Sequence, residues 1–445
     1  MKKKVLLSIF IILISFLQNS CSSKRISKKI IVASSGKIES LDPARANTLK
    51  AIQLISSLGD TLYELNSNGE LKPKLASQMP IISKDRLQII INLRKNVFFH
   101  DGTSLNSNAI KFTFDRFKKI GTMNYILGNK IKSIETPSEH SVIINLNKPS
   151  SSLNGLLTSV NLTPISPTFY KEYSDKFLNE KFVGTGKYAL TSFSNEVQII
   201  EPNLNYWGEK PLNNGINFVG YSNSSSLFGA LKSKQIDVLL SNSIDDSQRN
   251  SLNNLSKIKK FKEGNSPFTE LSFISLRTSF YPLNNSNVRL ALAKSLNRKL
   301  ISEKVSYGQR KPTRSLIPPI LKKDYQAYWP KYDYSEARKL LQNENYCNGN
   351  ILRIPLTYRS NVPADKLIAL TWQEEIKNYL KDCITIELNG VESTTVYKNL
   401  SLGLYTAVIL DWTGAYSDPE AYLTPLLSCN EIVEGTCKKG ESVYS

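Results

Sequence analysis

The stretch 182–211, FVGTGKYALTSFSNEVQIIEPNLNYWGEKP, constrains the fold more than any other. Gly184, Thr185 and Gly186 make a tight turn, because glycine accepts backbone angles that a Cβ blocks. A strand-like run follows. A second one, Val197, Gln198, Ile199 and Ile200, ends in Asn205-Tyr206-Trp207-Gly208 and then Pro211. Proline ends such a run because it has no N–H for the ladder. We read a hairpin by which the chain re-enters a sheet begun near the N-terminus. One domain is then built from two separate pieces, with an insertion between them. The same turn contains GTGK, which raises a phosphate-loop reading. Spacing rules it out: the first glycine of G-x-x-x-x-G-K-[ST] would fall on Lys181 and the Ser/Thr on Tyr188.

At 445 residues the chain exceeds one ordinary core, so two or three domains are expected. The first of its landmarks is a leader. Lys2, Lys3 and Lys4 precede an apolar run, 5–17, that is too short for a bilayer and fits a secretory signal. Gln18-Asn19-Ser20-Cys21 resembles a bacterial lipobox without its usual leucine. Residues 1–20 therefore read as a signal peptide, Cys21 as the lipidation site and 21–29 as a lipidated tether. Acyl chains there would anchor the protein at ~0.8 kcal/mol per buried CH₂. Four cysteines remain, an even number that suits disulfides in an exported chain. Cys429 with Cys437 is the favoured pair by its short loop, and Cys347 with Cys383 the other. No pair has C-x-x-C spacing and no histidine lies near, which disfavours a metal site.

The formal net charge is +19, and +16 once the three leader lysines go. Such a charge raises nucleic-acid binding. The lysines are dispersed, however, and no nucleic-acid motif is present, so solvated surface charge is the reading taken.

Further along, Leu87, Ile89, Ile91 and Leu93 alternate with polar residues as a strand with period two. They run into Val97-Phe98-Phe99-His100-Asp101-Gly102. His100 beside Asp101 invites a general-base reading, but no nucleophile is near and Asp-Gly is a turn dipeptide. Asn106 or Ser107 caps a helix carrying Ile110, Phe114 and Phe117. Val288, Leu292, Leu296 and Leu300 form one helical stripe, and Ser335 caps another helix. Tyr405 to Leu410 reads as a buried strand, followed by Asp411-Trp412-Thr413-Gly414-Ala415-Tyr416-Ser417-Asp418-Pro419.

Several of these segments together resemble the family-5 extracellular solute-binding proteins, the peptide- and nickel-type receptors of ABC importers. The matching stretches are Ser40-Leu41-Asp42-Pro43, Leu71-Lys72-Pro73-Lys74-Leu75-Ala76, Leu93-Arg94 through Phe99-His100-Asp101-Gly102, Gly184-Thr185-Gly186 with Asn205-Tyr206-Trp207-Gly208, and Val288-Arg289 through Asn297-Arg298. The resemblance implies an α/β class with α+β lobes, a periplasmic-binding-protein-like fold of the large three-domain type, and a ligand cleft between lobes. Domain I would be 30–45 and 171–267, domain II the insertion 46–170, and domain III 268–445, truncated at its C-terminus because the family continues further.

For function the resemblance implies a lipid-anchored receptor at the outer face of the cytoplasmic membrane. It would capture an oligopeptide or related small solute by hinge closure and deliver it to ABC permease subunits. It would be monomeric, with no catalytic residue, no cofactor, no metal and no nucleic-acid partner. Ligand contacts would come from Ser35, Gly36, Arg359, Trp412, Thr413, Gly414, Ala415 and Asp418. In the peptide receptors an aspartate three residues after the tryptophan holds the ligand's ammonium, and here that position is Ala415. Arg359, at a strand end, is the candidate partner for an anionic ligand group. Three alternatives stay open: a degenerate receptor-like lipoprotein, a receptor for nickel chelates or another solute, and, least favoured, an exported hydrolase. The last lacks a G-x-S-x-G elbow or an H-E-x-x-H helix.

Overall fold

The computed structural model describes residues 29–439, apart from 47, 67, 241–242, 265–268, 322–326, 401, 430 and 434–435. The leader 1–20, Cys21 and nearly all of the tether lie outside the described residues. Among the described residues no helix is long and apolar enough to cross a membrane.

Three sheets organise the chain. The first has five strands, in the order Val238–Leu239, Ile30–Ser35, Ile216–Tyr221, Val197–Pro202 and Tyr188–Phe193. Its last two strands are the antiparallel hairpin read from the sequence. Ile30–Ser35 pairs in parallel with Ile216–Tyr221, Ile30 opposite Ile216. The N-terminal strand thus lies second from one edge of a sheet completed far downstream.

A four-stranded sheet lies between those pieces, in the order Ile81–Ile82, Gln88–Asn92, Ser141–Leu146 and Ile131–Ser138. Its alternation places Ile89, Ile91, Val142 and Ile144 inward. The helix Ser107–Ile120 covers them with Ile110, Phe114 and Phe117, and Asn106 is its N-cap. Each such side chain contributes about 1.5–3 kcal/mol by leaving water.

The third sheet runs Leu271–Leu276, Ala407–Trp412, Leu352–Arg359 and Ile384–Val391. Here two expectations are corrected. The stripe from Val288 to Leu300 is not one helix. It divides into Ser286–Ser295 and Arg298–Ser306, because the Asn297 side chain accepts from the Leu300 N–H and starts a new helix. The cap of Tyr334–Asn343 is Asp333, which accepts from the Glu336 N–H, and Ser335 lies inside the first turn. Cys347 and Cys383 are joined, linking the end of that helix to the Ile384–Val391 strand. Cys429 is disulfide-bonded. Cys437 lies in a short strand opposite Ile432, and its side chain is outside the described residues.

The turn at Asp42 fastens the first two sheets together. Its carboxylate accepts from the Ala44 N–H at 2.9 Å, as an Asp before Pro does locally. It also accepts from the Leu178 N–H at 2.7 Å and forms a two-point pair with the buried Arg116 at 2.8 and 2.5 Å. Paired on every side, the buried charges are tolerated, and loss of one partner would strand the other at a cost of roughly 3–5 kcal/mol.

Candidate functional site

The site is built on the point where the returning chain crosses the helix Leu49–Leu58. Gly186 lies directly on the end of that helix: its N–H donates to the Leu58 carbonyl at 3.0 Å, and an added Cβ would sit 2.3 Å from the Leu58 carbonyl carbon. His100 clamps the same turn. Its backbone N–H donates to the Gly184 carbonyl at 2.8 Å, and its Nδ1 accepts from the Gly184 N–H at 3.4 Å. Nε2, 3.2 Å from the Gly186 carbonyl, is therefore the protonated ring nitrogen. Burial holds the His100 pKa below its ordinary value. The FHDG and GTG motifs are thus two halves of one joint.

Beside the joint is Asp60, only 2% exposed. It accepts from Tyr206 Oη at 3.2 Å, Trp207 Nε1 at 3.0 Å and Thr185 Oγ1 at 3.3 Å, so the Asn-Tyr-Trp-Gly motif serves to hold a buried carboxylate. Lys74 Nζ approaches Asp60 at 3.4 Å and Glu64 at 3.1 Å. Arg94 supports the group from its backbone side: its Nε donates to the Lys74 carbonyl, and its guanidinium lies 4.8 Å from the centre of the Trp207 ring.

This group opens onto a cavity of about 260 Å³, somewhat below the ~300–1,000 Å³ of small-molecule sites. Ser56, Gly59, Thr61, Glu64 and Leu65 form one wall, with Lys74 behind them. Thr158 and Val160 form another, and Ser417 closes the space from the third sheet's side. The segments that meet here come from parts of the chain that belong to different sheets.

Ser417 belongs to the loop that leaves the strand Ala407–Trp412. Gly155 lets it approach: a Cβ there would lie 2.9 Å from the Ser417 carbonyl oxygen. Ser159 Oγ donates to the Ala415 carbonyl at 3.3 Å, and Lys130 Nζ pairs with Glu420 at 3.0 Å. Trp412 and Ala415 pack against the core that underlies the 81–146 sheet. Asp418 accepts from the Glu420 N–H at 2.8 Å, and burial pushes its carboxyl pKa up.

The residues singled out from the sequence are distributed as follows. Trp412 ends the strand Ala407–Trp412, and Thr413, Gly414, Ala415 and Asp418 share the following loop that carries Ser417 to the cavity, although none of the five lines it. Arg359 is 3% exposed, and all five of its N–H groups are engaged. Nε and Nη2 donate to Asp365, Nη1 and Nη2 to Asp411, and Nη1 to Tyr397 Oη. Although burial opposes its charge, those bonds raise its pKa, so a ligand anion could reach it only by displacing a carboxylate. Ser35 and Gly36 end the first strand away from the cavity lining. There the Ser35 carbonyl accepts from Lys50 Nζ at 3.4 Å, and Gly36 takes a φ of +74°. Sequence reasoning did not find Asp60, Glu64 and Lys74. Among the described residues no cluster of three or more His, Cys, Asp or Glu side chains could hold a metal.

The profile of the bacterial extracellular solute-binding proteins, family 5 (middle), matches residues 70–433. Among individual proteins, the chain is 25% identical over 346 residues to a probable D,D-dipeptide-binding periplasmic protein of Escherichia coli K12, covering 77% of this chain and 65% of that one. It is 26% identical over 410 residues to a glutathione-binding protein of Shigella flexneri, covering 90% and 78%. Among solved structures, the NikA protein of Brucella suis in complex with Fe(III)-EDTA superposes with a TM-score of 0.78 at 22% identity, covering 89% and 82%.

Proposed function

The chain belongs to the bacterial extracellular solute-binding proteins of family 5, and from that premise we propose that it is the solute-binding component of an ABC importer. It captures a small peptide-like solute between lobes and makes or breaks no bond in it. The observation that supports this reading most is the placement of the cavity: its walls come from segments attached to different sheets, and one wall is a loop. Clefts of that kind bury a ligand when the lobes close and release it when they part. Polar contacts hold the loop wall, chiefly Lys130 with Glu420 and Ser159 with Ala415, and contacts of that strength open and reform readily.

The cargo class follows from cavity size and kinship. About 260 Å³ suits a dipeptide-sized solute, and the relatives are named for glutathione and for a D,D-dipeptide. Residues 30–45 with 171–267, 46–170 and 268–445 are the three lobes in this reading. The loop 412–418 is the cargo-side element, with Trp412, Thr413, Gly414, Ala415 and Asp418 shaping it. The protein works as a monomer at the outer face of the cytoplasmic membrane, held by acylation of Cys21, and docks on permease subunits. Mass spectrometry of solutes released from the natively purified protein tests the core of this. One or more peptide-like solutes should appear, and adding them back should raise the melting temperature, because binding to the folded state stabilises it. A protein that carries no solute and is stabilised by none would refute the reading.

A further inference from the structure

Within the reading of a receptor anchored at Cys21, on which this step rests, we infer that the turns 203–205 and 211–215 form a membrane-contacting face. Leu204 and Leu212 seat there in an anionic lipid surface, beside the point where the tether joins the folded chain. Leu212 is 100% exposed and Leu204 74%. Single exposed leucines are ordinary on a protein surface. These two differ in where they stand and in how firmly they are held out.

The first sheet fixes their position. Ile200 pairs with Ile216, so Leu204, past Ile200, and Leu212, before Ile216, lie beyond the same end of those two strands. The chain enters the sheet at that end. Ile30 stands opposite Ile216, and its N–H donates to the Gly215 carbonyl at 3.0 Å. Lys29 Nζ pairs with Glu201 at 2.6 Å, and its Cε is 3.4 Å from where a Gly215 Cβ would be. Neighbouring asparagines brace both turns. Asn203 Oδ1 accepts from the Asn205 N–H at 3.0 Å, and its Nδ2 donates to the Gly186 carbonyl at 3.1 Å. Asn213 Oδ1 accepts from the Gly215 N–H at 2.9 Å, and its Nδ2 donates to Tyr188 Oη at 2.9 Å. Turns braced in this way cannot tuck their leucines inward, so the apolar surface stays in water until something covers it.

The tether says what covers it. From Cys21 to Lys29 a fully extended chain reaches at most about 29 Å. Acylation of Cys21 therefore confines this end of the sheet to the neighbourhood of the bilayer. The tether carries Lys24, Arg25, Lys28 and Lys29 and no acid, a composition drawn to anionic headgroups. On the folded side Lys210 and Lys234 are exposed. Glu201 is occupied by Lys29 and the Asp237 carboxylate by the Ile31 N–H at 2.8 Å, while Glu209 is an exposed acid that opposes them. Exposed leucines among basic residues make an interfacial contact, in which apolar side chains enter the headgroup boundary and the charges stay at its surface. Each leucine that leaves water favours the contact by about tenfold or more. The face gives the anchored receptor a fixed orientation on the membrane instead of leaving it to swing on its tether.

The test uses the natively processed protein in vesicles of phosphatidylethanolamine and phosphatidylglycerol. A fluorophore is attached at Asn205→Cys, beside Leu204, or at Leu402→Cys, 62% exposed after the helix Ser393–Leu400. Unsubstituted protein carried through the labelling gives the blank. Nitroxide lipids should quench the Asn205 reporter about 10-fold more than the Leu402 reporter, and aqueous iodide should do the reverse. In a Leu204→Ser/Leu212→Ser background the Asn205 reporter should fall to the Leu402 level, with an unchanged melting temperature because both leucines are exposed. Equal lipid quenching at the two sites with both leucines present would overturn the inference and leave the anchor standing. Lipid quenching that survives the two serines would also overturn it, since the tether alone then accounts for the proximity. Shielding from both quenchers, with cross-linking to a second copy, would assign the face to a protein partner and overturn it as well. Intact mass decides the anchor separately. If Cys21 carries no acyl chain, the same protein is floated with these vesicles: flotation that the two serines abolish upholds the contact, and any other result ends it.

Discussion

Replacing Gly186 by alanine tests the joint on which the site is built. The new Cβ would lie 2.3 Å from the Leu58 carbonyl carbon, 2.6 Å from the Gly59 nitrogen and 2.7 Å from the Leu58 oxygen. All three are backbone atoms, so no side chain can swing away. Ordinary carbon contacts need about 3.5 Å, so the two segments must separate by roughly 1 Å. That separation strains the packing by about 1–3 kcal/mol. It also weakens the Gly186 N–H to Leu58 bond, at about 1–3 kcal/mol when buried groups go unpaired. The expected loss is about 4 kcal/mol. With an unfolding entropy of about 2.1 cal/mol/K per residue, a cooperative unit of ~400 residues would melt about 5 °C lower, and one of ~200 residues about 10 °C lower. Gly229→Ala is the control, because a Cβ there meets nothing within 4 Å in the helix Ser224–Lys232. Gly229 is itself exposed although the helix buries Leu227, Ala230 and Leu231 on its other face, so that change should raise stability by about 0.5–1 kcal/mol. Calorimetry on both variants decides. A Gly186→Ala protein melting within 1 °C of wild type would refute the argument that two backbones are in contact at this crossing.

Acid should loosen the same joint before the carboxylates titrate. The folded pKa of His100 is depressed, so its contribution is fully present above the unfolded value near 6.5 and is lost as pH falls from there through the folded value. His100→Gln should flatten the melting temperature between pH 7 and pH 5, measured by scanning calorimetry. The Lys130–Glu420 contact should couple by about 0.5–1 kcal/mol in a double-mutant cycle. Lys130→Ala should also enlarge the ligand-free radius of gyration in solution scattering, and an unchanged scattering curve would remove its role in seating the loop. Cys21→Ala should move the protein from the membrane fraction to the soluble fraction, read by fractionation and intact mass.

The parts of this molecule that were legible in the sequence are those with local grammar. The 182–211 hairpin announces itself through two glycines and two strand-like runs, although the second strand ends at Pro202 rather than Pro211, and Ile89 and Ile91 through an alternation that Ile90 interrupts. The charged group at the cavity has no such grammar. Lys74 meets Asp60 14 residues away and Tyr206 meets Asp60 at a separation of 146, and no spacing rule links them. Arg359 shows a different limit. An arginine at a strand end looks the same in sequence whether it awaits a ligand or is already held by Asp365 and Asp411. The stripe from Val288 to Leu300 misled because its apolar spacing continues through a break that one capping asparagine imposes.

The parallel pairing of Ile30 with Ile216 sets a timetable for synthesis. The first strand among the described residues has its neighbours at Ile216–Tyr221 and Val238–Leu239, so for most of the first half of translation those partners do not yet exist. Contacts at such separation pay their loop-closure entropy before they return any stabilisation, which delays folding. A nascent chain of this design stays threadable until some two hundred residues have emerged, and the first lobe can lock only after the whole inserted lobe has been made.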